Sequence, residues 1–260
     1  MNNGSTKNIY KFLNSLAIYF LVSFISKVLL PEGSALYIAA FLDPFLGVCY
    51  GYMGALGIAL GGLVADAITG VQLNMIVYYC ISNFVWTSVS YLLWKVLSAG
   101  EDHIHRLDSI ERVLKYAFIV LIYSLLSGLA DGVALNFTAD WDVWTTAGTT
   151  FLNNFDIGLL FGCPLMIASN QYLSRRAGTK RILSKNEKII LLASSIEFIG
   201  LLFMITLGLA GDFADPTDMW NAIYTRSAVL INFVIFAALI AMFIINEPDE
   251  NHPEEGNGML

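Results

Sequence analysis

The chain has 260 residues, of which 57% are hydrophobic and 13% charged, with a formal net charge of −7. So few charges do not cover that much apolar surface in water, which excludes an ordinary soluble domain and indicates an integral membrane protein. The basic residues cluster while the acidic ones spread, and the acidic balance argues against nucleic acid as a partner.

A helix needs about 20 apolar residues to cross a hydrocarbon core about 30 Å thick. The first such run covers residues 10–30. It follows a polar N-terminus, is longer than a signal-peptide core and lacks a small-residue cleavage site, so it is expected to remain as a span. Residues 35–70 follow, rich in glycine, too long for one ordinary crossing and a little short for two. Further apolar runs cover 73–97, 114–136, 146–171, 188–210 and 222–246. The acidic end after Asn246, EPDENHPEEGNGML, reads as disordered.

Charge placement orients these runs, because cytoplasmic loops carry the excess of Lys and Arg. Lys7 and Lys11 place the N-terminus inside. Lys95, Arg106, Arg112 and Lys115 place 95–115 inside, and Arg175, Arg176, Lys180, Arg181, Lys185 and Lys188 do the same for 173–188. Segments 137–145 and 211–221 hold Asp140, Asp142, Asp212, Asp215 and Asp218 without Lys or Arg, and belong outside. The chain must then cross an even number of times within 35–70. Two short crossings or a re-entrant pair meet this, with a cytoplasmic turn near Gly47–Gly51. Asp43-Pro44 is expected to unwind the end of the second helix just before that turn. The expectation is an all-α integral membrane protein of about eight transmembrane helices with both termini inside. It divides into a six-span bundle over 1–172, a basic cytoplasmic loop over 173–187, a two-span hairpin over 188–246 and the tail 247–260.

Within the Gly-rich stretch, Gly47, Gly51, Gly54, Ile58, Gly61 and Ala65 recur at steps of three and four, a face for close helix packing or for a second membrane subunit. Ionisable residues at bilayer depth are functional candidates by default. By the expected topology Asp66, Asp131, Asn153, Asn154, Asp156 and Arg226 gather toward the outer half, with Gln72 and Asn74 capping the fourth span. Glu197 lies nearer the middle, and Asp43 alone falls near the inner face, as a structural residue. The run NNFD at 153–156, followed by Gly158, Gly162 and Pro164, reads as a broken polar helix lining a cavity. Asn83, Asn232, Tyr78, Tyr79, Trp86, Trp141 and Trp144 complete the polar and aromatic set, the aromatics being suited to stacking on a flat ligand, with an interfacial belt the commoner role for Trp141 and Trp144. The acidic excess favours a ligand of positive or hydrogen-bond-donor character. Cys49, Cys80 and Cys163 have no paired or metal-ligand spacing and read as core residues. His103 and His105 are a weak metal signal, and no cofactor is implied.

The stretches PFLGVCYGYMGALGIALGGLVADAITG, ISNFVWTSVSYLLWK and NNFDIGLLFGCPLM resemble the substrate-binding S components of energy-coupling factor vitamin transporters. The matching positions are Gly47, Gly51, Gly54 and Asp66, then Asn83 and Lys95, then Asn153, Gly158 and Pro164, within residues 10–172. The family docks through Ala-x-x-x-Ala on its first helix. Here Ala35 and Ala39 carry that spacing on the second, and the last two spans exceed the usual six. The resemblance implies a vitamin-like small-molecule substrate, and the polar and aromatic set above gives its expected binding residues as Asp66, Asn83, Trp86, Asp131, Asn153, Asn154, Asp156 and Arg226. It also implies membrane lipid as surroundings, a membrane coupling subunit with cytosolic ATPases, and a multi-pass location in a bacterial plasma membrane. The chain has no GxxxxGK[ST] phosphate loop of its own, so energy must come from a partner. Similar Gly-rich bundles are input modules of sensor kinases and phosphatases, so a sensory or scaffold subunit is the alternative. An intramembrane enzyme is not expected, since neither metal-ligand spacing nor a Ser–His pair at depth is present.

Overall fold

The computed structural model describes residues 3–30, 36–98, 106–176, 178–179, 181–210 and 216–246. All regular structure among them is helical: α1 (Asn3–Leu29), a 3-10 turn (Ile38–Phe41) running into α2 (Leu42–Tyr50), α3 (Tyr52–Ile68), α4 (Leu73–Leu97), α5 (Ile110–Ala139), α6 (Val143–Arg176), α7 (Lys185–Ala210) and α8 (Pro216–Ile245). Six of these helices, α1 and α4–α8, are long and apolar enough to cross a membrane, while Ile38–Tyr50 and Tyr52–Ile68 are shorter. The chain is a multi-pass membrane protein. His103, His105, Asp212, Asp215 and the tail 247–260 lie outside the described residues, as do the side chains of 216–220.

Close residue pairs give the helix directions. Gly57 lies against Phe12 and Ser15, Gly61 against Leu16 and Phe20, and Asp66 pairs with Lys27. The numbers rise together, so α1 and α3 are parallel. Gly47 against Thr87 and Gly51 against Tyr91 make α2 parallel to α4. Tyr52 on Tyr91 and Gly62 on Asn83 make α3 antiparallel to α4. Tyr37–Asn153 and Phe41–Phe161 align α2 with α6. Gly128 on Phe151 and Gly162 on Tyr116 set α5 against α6. Tyr224–Thr149 and Asn232–Asp156 align α8 with α6, and Asn246–Asn186 sets α7 against α8. Odd-numbered helices therefore run one way and even-numbered ones the other.

The reversal between α2 and α3 falls at Gly51, whose φ of 63° lies in the left-handed region. A side chain there would be strained. Pro44 is not at the end of α2 but in its first turn, where its missing N–H costs no helical hydrogen bond. The expected unwinding is thus a helix start. Nor is α6 broken, since it continues from Val143 to Arg176 with Pro164 inside it.

The glycines set the closest approaches. A methyl at Gly57 would stand 2.6 Å from the Ser15 Cβ and 2.7 Å from the Phe12 carbonyl oxygen, and one at Gly61 would stand 2.7 Å from that of Leu16. Gly57-x-x-x-Gly61, rather than the Gly54–Ile58–Gly61 set, is the face on α1. Gly54 instead meets Leu46 of α2, and Ile58 is fully buried in the core with Tyr19. Van der Waals contact of this kind is what holds helices together in lipid.

At the end carrying the basic loops, local polar bonds start the helices. Ser109 Oγ accepts from the Arg112 N–H to cap α5. Ser184 and Glu187 form a reciprocal box at α7, each side chain accepting from the other's backbone N–H. Glu187 also pairs with Arg181 at 2.5 Å. Asn186 donates to the Asp108 carbonyl, and Asn246 donates to Asn186. The α7–α8 hairpin is joined to the bundle here and through Leu201, Tyr224 and Ile231, which share a core with Leu36, Leu42 and Ile157.

Gly61→Leu is expected to lower stability by about 1–3 kcal/mol through overpacking against α1. Gly148→Ala, where a methyl meets nothing within 4 Å, is expected to leave stability equal or slightly raised. Melting temperatures of the two purified variants in one detergent check this contrast.

Candidate functional site

One cavity of about 430 Å³ stands out among the described residues. It lies toward the end where α1, α3 and α5 finish and α4, α6 and α8 begin, opposite the basic loops. Tyr19 and Lys27 of α1, Tyr37 and Asp43, and Gly62 and Asp66 of α3 form one side. Tyr79, Ser82, Asn83 and Trp86 of α4 and Tyr123, Ser127 and Asp131 of α5 form another. The first turns of α6, from Thr145 to Asn154, close the third, with Trp141 and Asn221 at the edge.

The space exists because the second element is short. Asn153 lies ten residues into α6, about 15 Å from its start at 1.5 Å per residue. Its side-chain carbonyl accepts from the Tyr37 N–H at 2.8 Å, and its NH2 donates to the Tyr37 carbonyl at 3.2 Å. The chain before the 3-10 turn is thereby fixed well below the top of α6. A full-length helix would have occupied the room above it. Tyr37 is further tied by its hydroxyl to Ser23 Oγ at 2.9 Å. The second amide of the pair, Asn154, accepts from Asn153 and donates to Ser127 Oγ at 2.9 Å.

Three carboxylates and one ammonium line the cavity. Lys27 and Asp66 form an ion pair with each other across α1 and α3. Asp131 accepts from the Tyr78 hydroxyl at 2.9 Å, and Tyr78 itself is not among the lining residues. Asp43 is 2% exposed and accepts from Thr87 Oγ1 at 2.9 Å. It stands level with Thr87 and Tyr123, the middles of α4 and α5, so it is not near the inner face as its sequence position implies. The Asn83 amide rests against Gly62, where an added methyl would come within 2.8 Å of it. Trp86 Nε1 is buried with no hydrogen-bond partner among the described residues. At the mouth, the exposed Asp142 caps α6 by accepting from the Thr145 N–H at 2.7 Å, which holds its carboxyl below the usual carboxylate range.

Asp66, Asn83, Trp86, Asp131, Asn153 and Asn154 thus surround a single cavity. Asp156 and Arg226 do not. Asp156 faces α8, where Asn232 donates to its Oδ1 at 3.1 Å, and it borders a separate void with Tyr224 and Ser227. Glu197 is also buried, on α7. Arg226 is exposed on the flank of α8. Trp144 is exposed as well, and among the expected aromatics Tyr79, Trp86 and Trp141 remain on the lining. The residues that sequence reasoning missed are Lys27, Tyr19, Tyr37, Asp43 and Tyr123. Of these, Lys27 carried a signal as the single charge near the end of the first apolar run, and Asp43 as an ionisable residue in the Gly-rich stretch.

No protein-family model, no curated protein and no solved structure matches this chain. Among the described residues no group of three or more His, Cys, Asp or Glu is placed to hold a metal ion.

Asn153→Ala is expected to destabilise the empty protein by at least about 2 kcal/mol, because it strands two buried backbone groups at about 1–3 kcal/mol each. Asn83→Ala, which removes no hydrogen bond among the described residues, is expected to change stability by about 0.5 kcal/mol or less. Thermal unfolding of both variants without added small molecules measures the difference.

Proposed function

We propose that this chain is a membrane-embedded binding subunit that captures a small water-soluble molecule, vitamin-like in size, for uptake. The observation that carries the reading is the cavity. A bundle whose only task was to anchor would fill the space above Tyr37 with apolar side chains. Here that space is lined by carboxylates, amides, hydroxyls and aromatic rings, the composition of a ligand site. We count the two short helices as crossings, a reading of eight passes with both termini on one side that the alternating directions support, and the basic loops favour the cytoplasm for that side. The cavity then opens outward, and Trp141 and Asp142 stand at its mouth.

Capture and release need no covalent chemistry. Energy for transport would come from separate cytosolic ATPases through a membrane coupling subunit, as the S-component resemblance implies. The exposed Leu13, Leu21 and Val28 of α1 face lipid or such a subunit.

One feature favours a second reading, a sensory or scaffold subunit acting on a partner kinase or phosphatase. Helix α8 reaches the cavity through Asn221 and the basic-loop end through Asn246, which is bonded to Asn186. A rigid helix between a ligand cavity and the cytoplasmic face is what a sensor requires. Co-purification with an ATPase pair or with a signalling enzyme separates the two.

Two measurements test the main reading. On a cysteine-free background, Trp141→Cys should react with a membrane-impermeant maleimide added to intact cells, and Thr179→Cys only after permeabilisation. The reverse pattern contradicts the orientation. Protein purified in mild detergent should carry a small molecule detectable by mass spectrometry, and the Asp131→Ala variant should retain at most about a tenth as much, as expected for loss of a desolvated charged contact. Equal retention would contradict the site.

A further inference from the structure

We infer that the molecule this cavity takes is an organic cation bearing a flat ring, with its positive group held between Asp43 and Asp131. This rests on the reading of the cavity as a capture site and specifies what is captured.

Charge on the lining decides the sign. Lys27 and Asp66 neutralise each other. No Arg or His lines the cavity among the described residues, so Asp43 and Asp131 are left with neutral partners only, the hydroxyls of Thr87 and of Tyr78. The start of the short second helix adds a positive end near Asp43, equivalent to about half a charge, which does not offset two carboxylates. Asp43, Tyr123 and Asp131 line the same cavity. A bound anion would meet both carboxylates in a low-dielectric space. A neutral molecule would leave them uncompensated after excluding water, whereas a cation satisfies them.

The ring follows from the walls. Tyr19, Tyr37, Tyr79, Trp86 and Tyr123 border the lumen around these acids. Aromatic faces attract a cation and stack on a flat ring. The cavity volume, about 430 Å³, falls within the range of small-molecule sites. Asp43 becomes a ligand-binding residue in this account, at the floor of the site.

The test holds the ring constant and varies the charge. Aminoethyl, hydroxyethyl and carboxymethyl derivatives of indole, pyridine and pyrimidine are titrated calorimetrically into the full-length protein in nanodiscs. The charge of any co-purified molecule is read in parallel by mass spectrometry. The ammonium members are expected to bind at least about tenfold more tightly than the hydroxyl members, with the carboxylates weakest. Asp43→Asn and Asp131→Asn, with unchanged melting temperatures, should each remove most of that preference. Tighter binding of hydroxyl or carboxylate members, or an anionic co-purified molecule, overturns the cation and leaves the capture reading standing. An intact ammonium preference in both Asn variants overturns the placement. Binding by no member, together with protein that purifies empty, overturns the capture reading and this inference with it.

Discussion

The double hydrogen bond between the Asn153 side chain and the backbone of Tyr37 is the constraint on which the site depends. Lipid offers no partner to a free N–H or C=O, so a chain can be non-helical at depth only where protein supplies those partners. One amide of α6 supplies both for Tyr37. With that position fixed, the second element starts part-way down the bundle, and Tyr37 and Asp43 border the cavity there. Asn153 and Asn154 are therefore scaffold first, because their polar ends are already engaged by Tyr37, by each other and by Ser127.

The glycine contacts serve the same geometry. Gly57 and Gly61 let α1 lie directly on α3, which brings Lys27 to Asp66 and closes one wall with a neutral pair. Gly47 lies against the Thr87 backbone and places the short α2 beside α4, where Thr87 can donate to Asp43. Gly62 leaves room for Asn83. Replacing any of these hydrogens with a methyl moves a wall of the cavity. The opposite end is stitched by Ser184, Glu187, Arg181 and Asn186 and offers no comparable space among the described residues.

Helix existence was legible in the sequence, because runs of some twenty apolar residues have few other uses. The reversal at Gly51 was legible too, since charged loops on either side demanded an even number of passes and glycine marked where the chain could turn. The side chains were harder. Pro44 stops one helix or starts another, and its sequence neighbours do not distinguish the two, so Asp43 was placed at the wrong depth and read as structural. The NNFD run announced buried polarity correctly, but an amide bonded to backbone and one waiting for a ligand are spelled alike. Asp156 differs from Asn153 by three residues, less than one full turn, and that rotation carries it from the cavity side to α8 and Asn232. Arg226 was linked to the site by depth alone, and depth does not specify which face of a helix a residue occupies. Lys27 sat at the end of an apolar run, where a snorkelling lysine is ordinary, and only the parallel packing of α1 on α3 turns it toward Asp66.

The central claim is that the space above Tyr37 holds a small molecule at the end of the bundle opposite the basic loops. An electron cryomicroscopy map of the protein in nanodiscs, purified without removing its own small molecules, tests this most directly. The account predicts density for a compact non-protein group bordered by Asp43, Trp86 and Asp131, with Tyr37 still bonded to Asn153. A cavity filled by a lipid acyl chain, or by a second helix extended upward through Tyr37, would contradict it.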